Sequence, residues 1–75
     1  MDRDEILRRV ETTLKAMRFD EPTARVADAR VALYIEDAIP GSLVVMEDNG
    51  IPQNVSGSVF VEGIDSVHFN FTIDG

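Results

Sequence analysis

The clearest hydrophobic pattern in this 75-residue chain lies at its N-terminus. Apolar residues recur there at the spacing of one helix face; they are Ile6, Leu7, Val10, Leu14 and Met17. Asp2 followed by Glu5 has the form of a capping box, and charged residues fill the opposite face. The pattern therefore predicts a helix over residues 4–18.

The second segment, residues 22–37, carries a pattern that fits two structures. A helix is indicated by the start signal Asp20-Glu21-Pro22, by several alanines and by the stop signal Ile39-Pro40-Gly41. A strand is indicated because Val31, Leu33 and Ile35 alternate with their neighbours. We favour the helix. The competing arrangement has one helix, a loop and a four-stranded sheet.

From Ser42 onward the chain alternates as strands do. Short β-rich runs cover residues 43–47 and 57–62, and the most regular alternation covers residues 67–73. Asp48-Asn49-Gly50 and Gly63-Ile64-Asp65-Ser66 have turn composition. Pro52 indicates a loop or an edge position. These features predict an antiparallel meander.

Together these elements predict an α+β fold in a single domain over residues 1–75. An N-terminal helix, within a helical hairpin if residues 22–37 are helical, would pack on an antiparallel β-meander of three to four strands. A domain of this size buries a modest core, and the chain has no cysteine to form disulfides. The sequence leaves a monomer and a homodimer or larger oligomer equally open.

Charge is distributed unevenly along the chain. The 14 acidic residues outnumber the 7 basic ones, for a net charge of −7. Every lysine and arginine lies within residues 1–30, whereas residues 31–75 contain acidic residues only. Such a surface repels phosphate backbones, so we expect no direct binding to nucleic acid. The same surface would attract a basic partner protein, although net charge also serves solubility alone.

The candidate partner-binding residues follow from this charge pattern. The acidic positions at predicted turns and strand ends are Glu36, Asp37, Glu47, Asp48, Glu62 and Asp65. Phe60 is added to them because it would be an exposed aromatic contact if it faces away from the helices. A shift of one residue in strand register would instead turn Phe60 into the core, and the sequence leaves both orientations open.

Evidence for catalysis or cofactor binding is weak. His68 is the only histidine, and Glu62 is the carboxylate expected nearest to it. No recognisable nucleophile accompanies this pair, and the spacing of carboxylates matches no metal motif. We expect no enzyme activity, no cofactor and no metal. The N-terminus resembles no targeting signal, and the longest apolar run is far too short to span a membrane, which predicts a cytoplasmic protein.

The leading hypothesis is a non-enzymatic, acidic protein-binding module that docks on a basic partner, as inhibitors, adaptors and nucleic-acid mimics do. The alternative is a self-assembling structural subunit that forms a homo-oligomer through its sheet edge. The last predicted strand favours this alternative if it lies at an edge, because it carries no charge from Val67 to Thr72. Strand order cannot be predicted from the sequence.

Overall fold

The computed structural model describes residues 1–17, 27–47 and 54–72, which form two helices followed by three strands. In chain order they are α1 (Arg3–Ala16), α2 (Ala27–Ala38), β1 (Leu43–Met46), β2 (Asn54–Val61) and β3 (Ile64–Thr72). The predicted α+β class is confirmed. The predicted start of the second helix, the turn at residues 48–50, the Pro52 position and the end of the last strand lie outside the described residues.

Helix α1 begins and ends for local reasons. Asp2 caps it, since its Oδ1 accepts a hydrogen bond from the Glu5 N–H at 2.8 Å. The helix ends at Ala16, two residues before the predicted end, because Met17 is extended with a ψ of 147°. Arg9 donates to Glu5 and to the carbonyl oxygen of Ala38, both at 3.2 Å, and so links α1 to the end of α2.

Helix α2 resolves the ambiguity of the second segment. Val31, Ile35 and Ile39 are fully buried at intervals of four residues, whereas Leu33 is 62% exposed. A strand would have placed Leu33 on the same face as Val31 and Ile35. The favoured helical interpretation is therefore confirmed for residues 27–38, and the four-stranded alternative built on this segment is wrong.

The sheet is an antiparallel meander with strand order β1-β2-β3. Strand β2 begins at Asn54, three residues before the predicted Gly57. Strand β3 begins at Ile64, because the predicted four-residue turn is a shorter one at Glu62 and Gly63. Gly63 has a φ of +83°, which a residue with a side chain rarely adopts.

Both helices cover one face of this sheet, which we call the inner face. The core combines helix residues with strand residues; it contains Ile6, Val10, Leu14, Val31, Ile35, Ile39, Val44, Val55, Val59, Val67 and Phe69. Gly57 lies beneath the Phe69 ring, where an added Cβ would come within 3.2 Å of Phe69 Cζ and 2.6 Å of the Val45 oxygen. The inner face is thus packed too closely for a side chain at position 57.

Candidate functional site

The opposite face of the sheet, the outer face, carries the residues that alternate with the core. In β1, Val44 is buried while Leu43 and Val45 are exposed. In β2, Val59 is buried while Phe60 is 44% exposed. Phe60 therefore faces away from the helices, which decides the orientation that the sequence left open. Its exposure follows from strand alternation, since successive side chains point to opposite faces.

Leu43, Val45 and Phe60 lie side by side, and we call them the outer apolar strip. Leu43 is directly opposite Phe60 in the β1–β2 register, and Val45 follows two residues along β1. Leu43 is 59% exposed and Val45 is 52% exposed. Three large apolar side chains thus form one contiguous surface next to water, which is the kind of surface that marks an interaction site.

Beyond the strip, the outer face carries a polar row of four side chains, from β2, from β3 and from the residue that follows β1: Ser56, Ser58, His68 and Glu47. His68 Nε2 lies 3.6 Å from Glu47 Oε1, and His68 Nδ1 lies 3.4 Å from Ser58 Oγ. Ser56 Oγ lies 3.0 Å from Glu47 Oε2. The predicted neighbour of His68 was Glu62. Instead, the β2–β3 register places His68 opposite Ser58, and Ser58 lies opposite Val45 of β1, two residues before Glu47.

The polar row has the residue types of a hydroxyl, an imidazole and a carboxylate in series. Both distances from the imidazole are longer than an ordinary hydrogen bond of this type. The side chains of His68 and Glu47 are about 60% exposed on an open sheet face. The arrangement can exchange protons with water and can hold a polar partner group, and it leaves the imidazole accessible to solvent.

The predicted acidic site is divided between two ends of the sheet. Glu62 and Asp65 flank the β2–β3 turn, and Asp37 lies in the last turn of α2, which leads into β1 at the same end. Glu47 follows the other end of β1, and four residues of strand separate it from Leu43 by about 13 Å. Asp48 lies outside the described residues. The candidate acidic residues therefore frame the outer apolar strip and do not form one cluster.

Two charged residues at this surface have structural roles. The Glu36 carboxylate accepts a hydrogen bond from the Val44 N–H at 3.0 Å, so it ties α2 to β1. Arg3, at the start of α1, donates to the carbonyl oxygen of Ser66 at 3.2 Å, so it brings a cation to the end that holds Asp65. Glu36 is thus a weaker candidate for partner binding than Asp37, Glu47, Glu62 or Asp65.

Sequence reasoning missed Leu43, Val45 and Ser58 as surface residues. The alternation in residues 43–47 shows that two sets of side chains point opposite ways, but it does not say which set meets the helices. Ser58 is ten residues from His68 in sequence, and only the hairpin register makes them neighbours. Sequence patterns therefore reveal neither the exposure of Leu43 and Val45 nor the contact between Ser58 and His68.

Within residues 1–17, 27–47 and 54–72, no three histidine or carboxylate side chains come close enough together to hold a metal ion. In the same ranges, neither helix has the length and apolarity needed to cross a membrane.

Comparisons of the chain with known protein families, with curated proteins and with solved structures found no match.

Proposed function

We propose that this chain is a non-enzymatic protein-binding module whose outer sheet face docks on a basic partner protein. The observation that carries the proposal is the outer apolar strip, in which Leu43, Val45 and Phe60 stay exposed side by side. An aromatic side chain flanked by aliphatic ones is a typical centre for a protein interface. A regular sheet holds these side chains in place before the partner arrives, which lowers the entropy lost on binding.

Carboxylates at the rim of the strip indicate the chemistry of the partner. Glu47 stands beyond one end of the strip, and Glu62 stands in the turn beyond the other. Residues 31–75 contain no lysine or arginine. A complementary surface would have an apolar centre with lysine or arginine around it, so electrostatic attraction would speed encounter and orient the two proteins. An inhibitor, an adaptor or a nucleic-acid mimic would use such a surface.

The polar row supports binding better than catalysis. Its imidazole is open to water on a flat face, and the separations of 3.4 and 3.6 Å leave the ring loosely held. Efficient general-base catalysis depends on a base held at hydrogen-bond distance from the proton it takes. In a docked complex, His68 and Glu47 would instead serve as polar contacts beside the strip.

Site-specific photo-crosslinking tests the proposal. Phe60 is replaced by benzoylphenylalanine, and the same replacement at Tyr34 is the matched control, because Tyr34 on α2 is 47% exposed and Phe60 is 44% exposed. We expect the Phe60 probe to form an adduct with a second protein rich in lysine and arginine. The Tyr34 probe should not form this adduct. Equal labelling by both probes would contradict docking through the outer face.

Charge reversal at Glu47 and Glu62, the acidic rim of the strip, is the second test. Glu47→Lys combined with Glu62→Lys should reduce the Phe60 adduct, by about tenfold or more at low salt. Asp4→Lys combined with Glu11→Lys, which makes the same change in net charge at two exposed positions of α1, should leave the yield unchanged. If neither the rim variant nor added salt changes the yield of the adduct, the partner is not recognised by its positive charge. Adducts formed only between copies of this chain would refute the proposal.

A further inference from the structure

The two edges of the sheet differ in how they are protected. Each edge strand packs against one helix, β1 against α2 and β3 against α1. Strand β1, at one edge, has only four residues, and Glu36 of α2 accepts the hydrogen bond from its Val44 N–H. Strand β3, at the other edge, has nine residues. A long edge with free backbone groups is a template for pairing with another strand.

Strand alternation identifies the backbone groups of β3 that point away from β2 in the plane of the sheet, and we call these the outward groups. The Val44 N–H points away from β2, so Val59, directly opposite, directs its groups toward β3. Val67 pairs with Val59 and points back toward β2. The N–H and C=O groups of the alternate residues therefore point outward at the edge; these residues are Ser66, His68, Asn70 and Thr72.

An independent contact confirms this assignment. The outward carbonyl of Ser66 accepts the hydrogen bond from Arg3 at 3.2 Å, which requires it to lie at the edge. Arg3 thus covers the first outward position of β3. No described residue bonds to the outward backbone groups of His68, Asn70 or Thr72. Within residues 1–17, 27–47 and 54–72, the open part of the edge therefore runs over these three residues.

The open edge is complementary to itself. When two β3 strands pair antiparallel about a two-fold axis at Phe69, His68 of each copy faces Asn70 of the other, and Ser66 faces Thr72. On the inner side, Val67 faces Phe71, and the two Phe69 side chains meet at the axis. Every polar side chain then faces a polar one and every apolar side chain an apolar one, which is the requirement for an isologous interface.

Charge does not oppose this register. Residues 67–72 carry no Asp, Glu, Lys or Arg, so no like charges face each other across the axis. Alternation also pairs polar with polar residues when the axis lies at His68 or at Asn70. The charge variants described below distinguish these registers from the one at Phe69.

We propose that two copies of this chain associate through their β3 edges, antiparallel about Phe69, and continue the sheet across the dimer. About six backbone hydrogen bonds would form between the copies, because the Ser66 carbonyl of each copy already accepts from Arg3. This pairing leaves the outer apolar strip uncovered in each copy, so the dimer would present it twice. The proposal does not depend on a basic partner. Because each copy carries a net charge of −7, added salt should tighten the dimer, the opposite of its effect on a basic partner.

Light scattering coupled to size exclusion, at about 50 mM and about 500 mM salt, gives the first test. We expect a concentration-dependent dimer that is tighter at high salt. Asn70→Pro removes an outward N–H without removing a bond to β2, so it should leave a folded monomer. A monomer at both salts and at all concentrations measured would overturn the proposal.

Two double variants test the register. If Asn70→Pro does not fold, these two variants also test whether the dimer forms through β3. His68→Lys with Asn70→Glu places opposite charges across the axis at Phe69 and should tighten the dimer about tenfold. His68→Glu with Asn70→Glu places like charges there and should weaken it similarly. An axis at His68 or at Asn70 would place like charges across the axis in both variants, so weakening by the first would overturn the register. A dimer that survives all three edge variants and is lost with Phe60→Asp would place the interface on the outer apolar strip.

Discussion

The two faces of the sheet are built from neighbouring residues and differ in almost every physical property. Val59 on the inner face is fully buried in the core, and Phe60 beside it on the outer face is 44% exposed. The inner face excludes even a methyl group at Gly57, while the outer face leaves three large apolar side chains next to water. The buried apolar contacts of the sheet therefore lie on the inner face.

The largest contrast is expected for the same substitution at adjacent positions. Val59→Asp buries an unpaired carboxylate in the core and should destabilise the domain by about 4 kcal/mol or more, enough to unfold much of it. Phe60→Asp leaves its carboxylate in water and should cost about 1 kcal/mol or less. Urea unfolding of both variants, followed by circular dichroism, measures the difference. Equal destabilisation would show that the two faces are not distinct.

A smaller effect is expected at Gly57. Gly57→Ala places a Cβ 2.6 Å from the Val45 oxygen and 3.2 Å from the Phe69 ring, so β1 and the ring must shift. We expect a loss of about 1–3 kcal/mol in the free energy of unfolding. Ser58→Ala, next to it on the outer face, is the control and should change stability by about 1 kcal/mol at most. If Gly57→Ala left the free energy of unfolding unchanged, the packing of the inner face would be able to accommodate the added methyl group.

The smallest effect is expected within the polar row. His68 and Glu47 are about 60% exposed and separated by 3.6 Å, so solvent screens their interaction. A double-mutant cycle with His68→Ala and Glu47→Ala should give a coupling energy of about 0–1 kcal/mol. A coupling near that of a buried pair would show that the outer face contributes to stability after all.

The sequence predicted the helices and strands better than it predicted which residues lie next to each other in the fold. The apolar spacing of α1 and the alternation of β3 were sufficient, because each pattern is local. The surface proposed for partner binding combines residues that the sequence suggested with residues that it did not: Asp37, Glu47 and Glu62 were suggested by charge, whereas Leu43 and Val45 were not. Their exposure depends on which face of β1 the helices cover, and alternation alone does not say. The pairing of His68 with Glu47 in place of Glu62 likewise depends on strand order.

The sequence by itself determined the helix cap at Asp2, the periodicities, the acidic balance of residues 31–75 and the absence of cysteine chemistry. These are properties of residues and of short segments. The tertiary structure decided that β3 is an edge, that Phe60 faces water and that Glu36 bonds to β1. Contacts between distant segments depend on how the helices and strands share one core, because it is the burial of apolar surface in that core that brings them together.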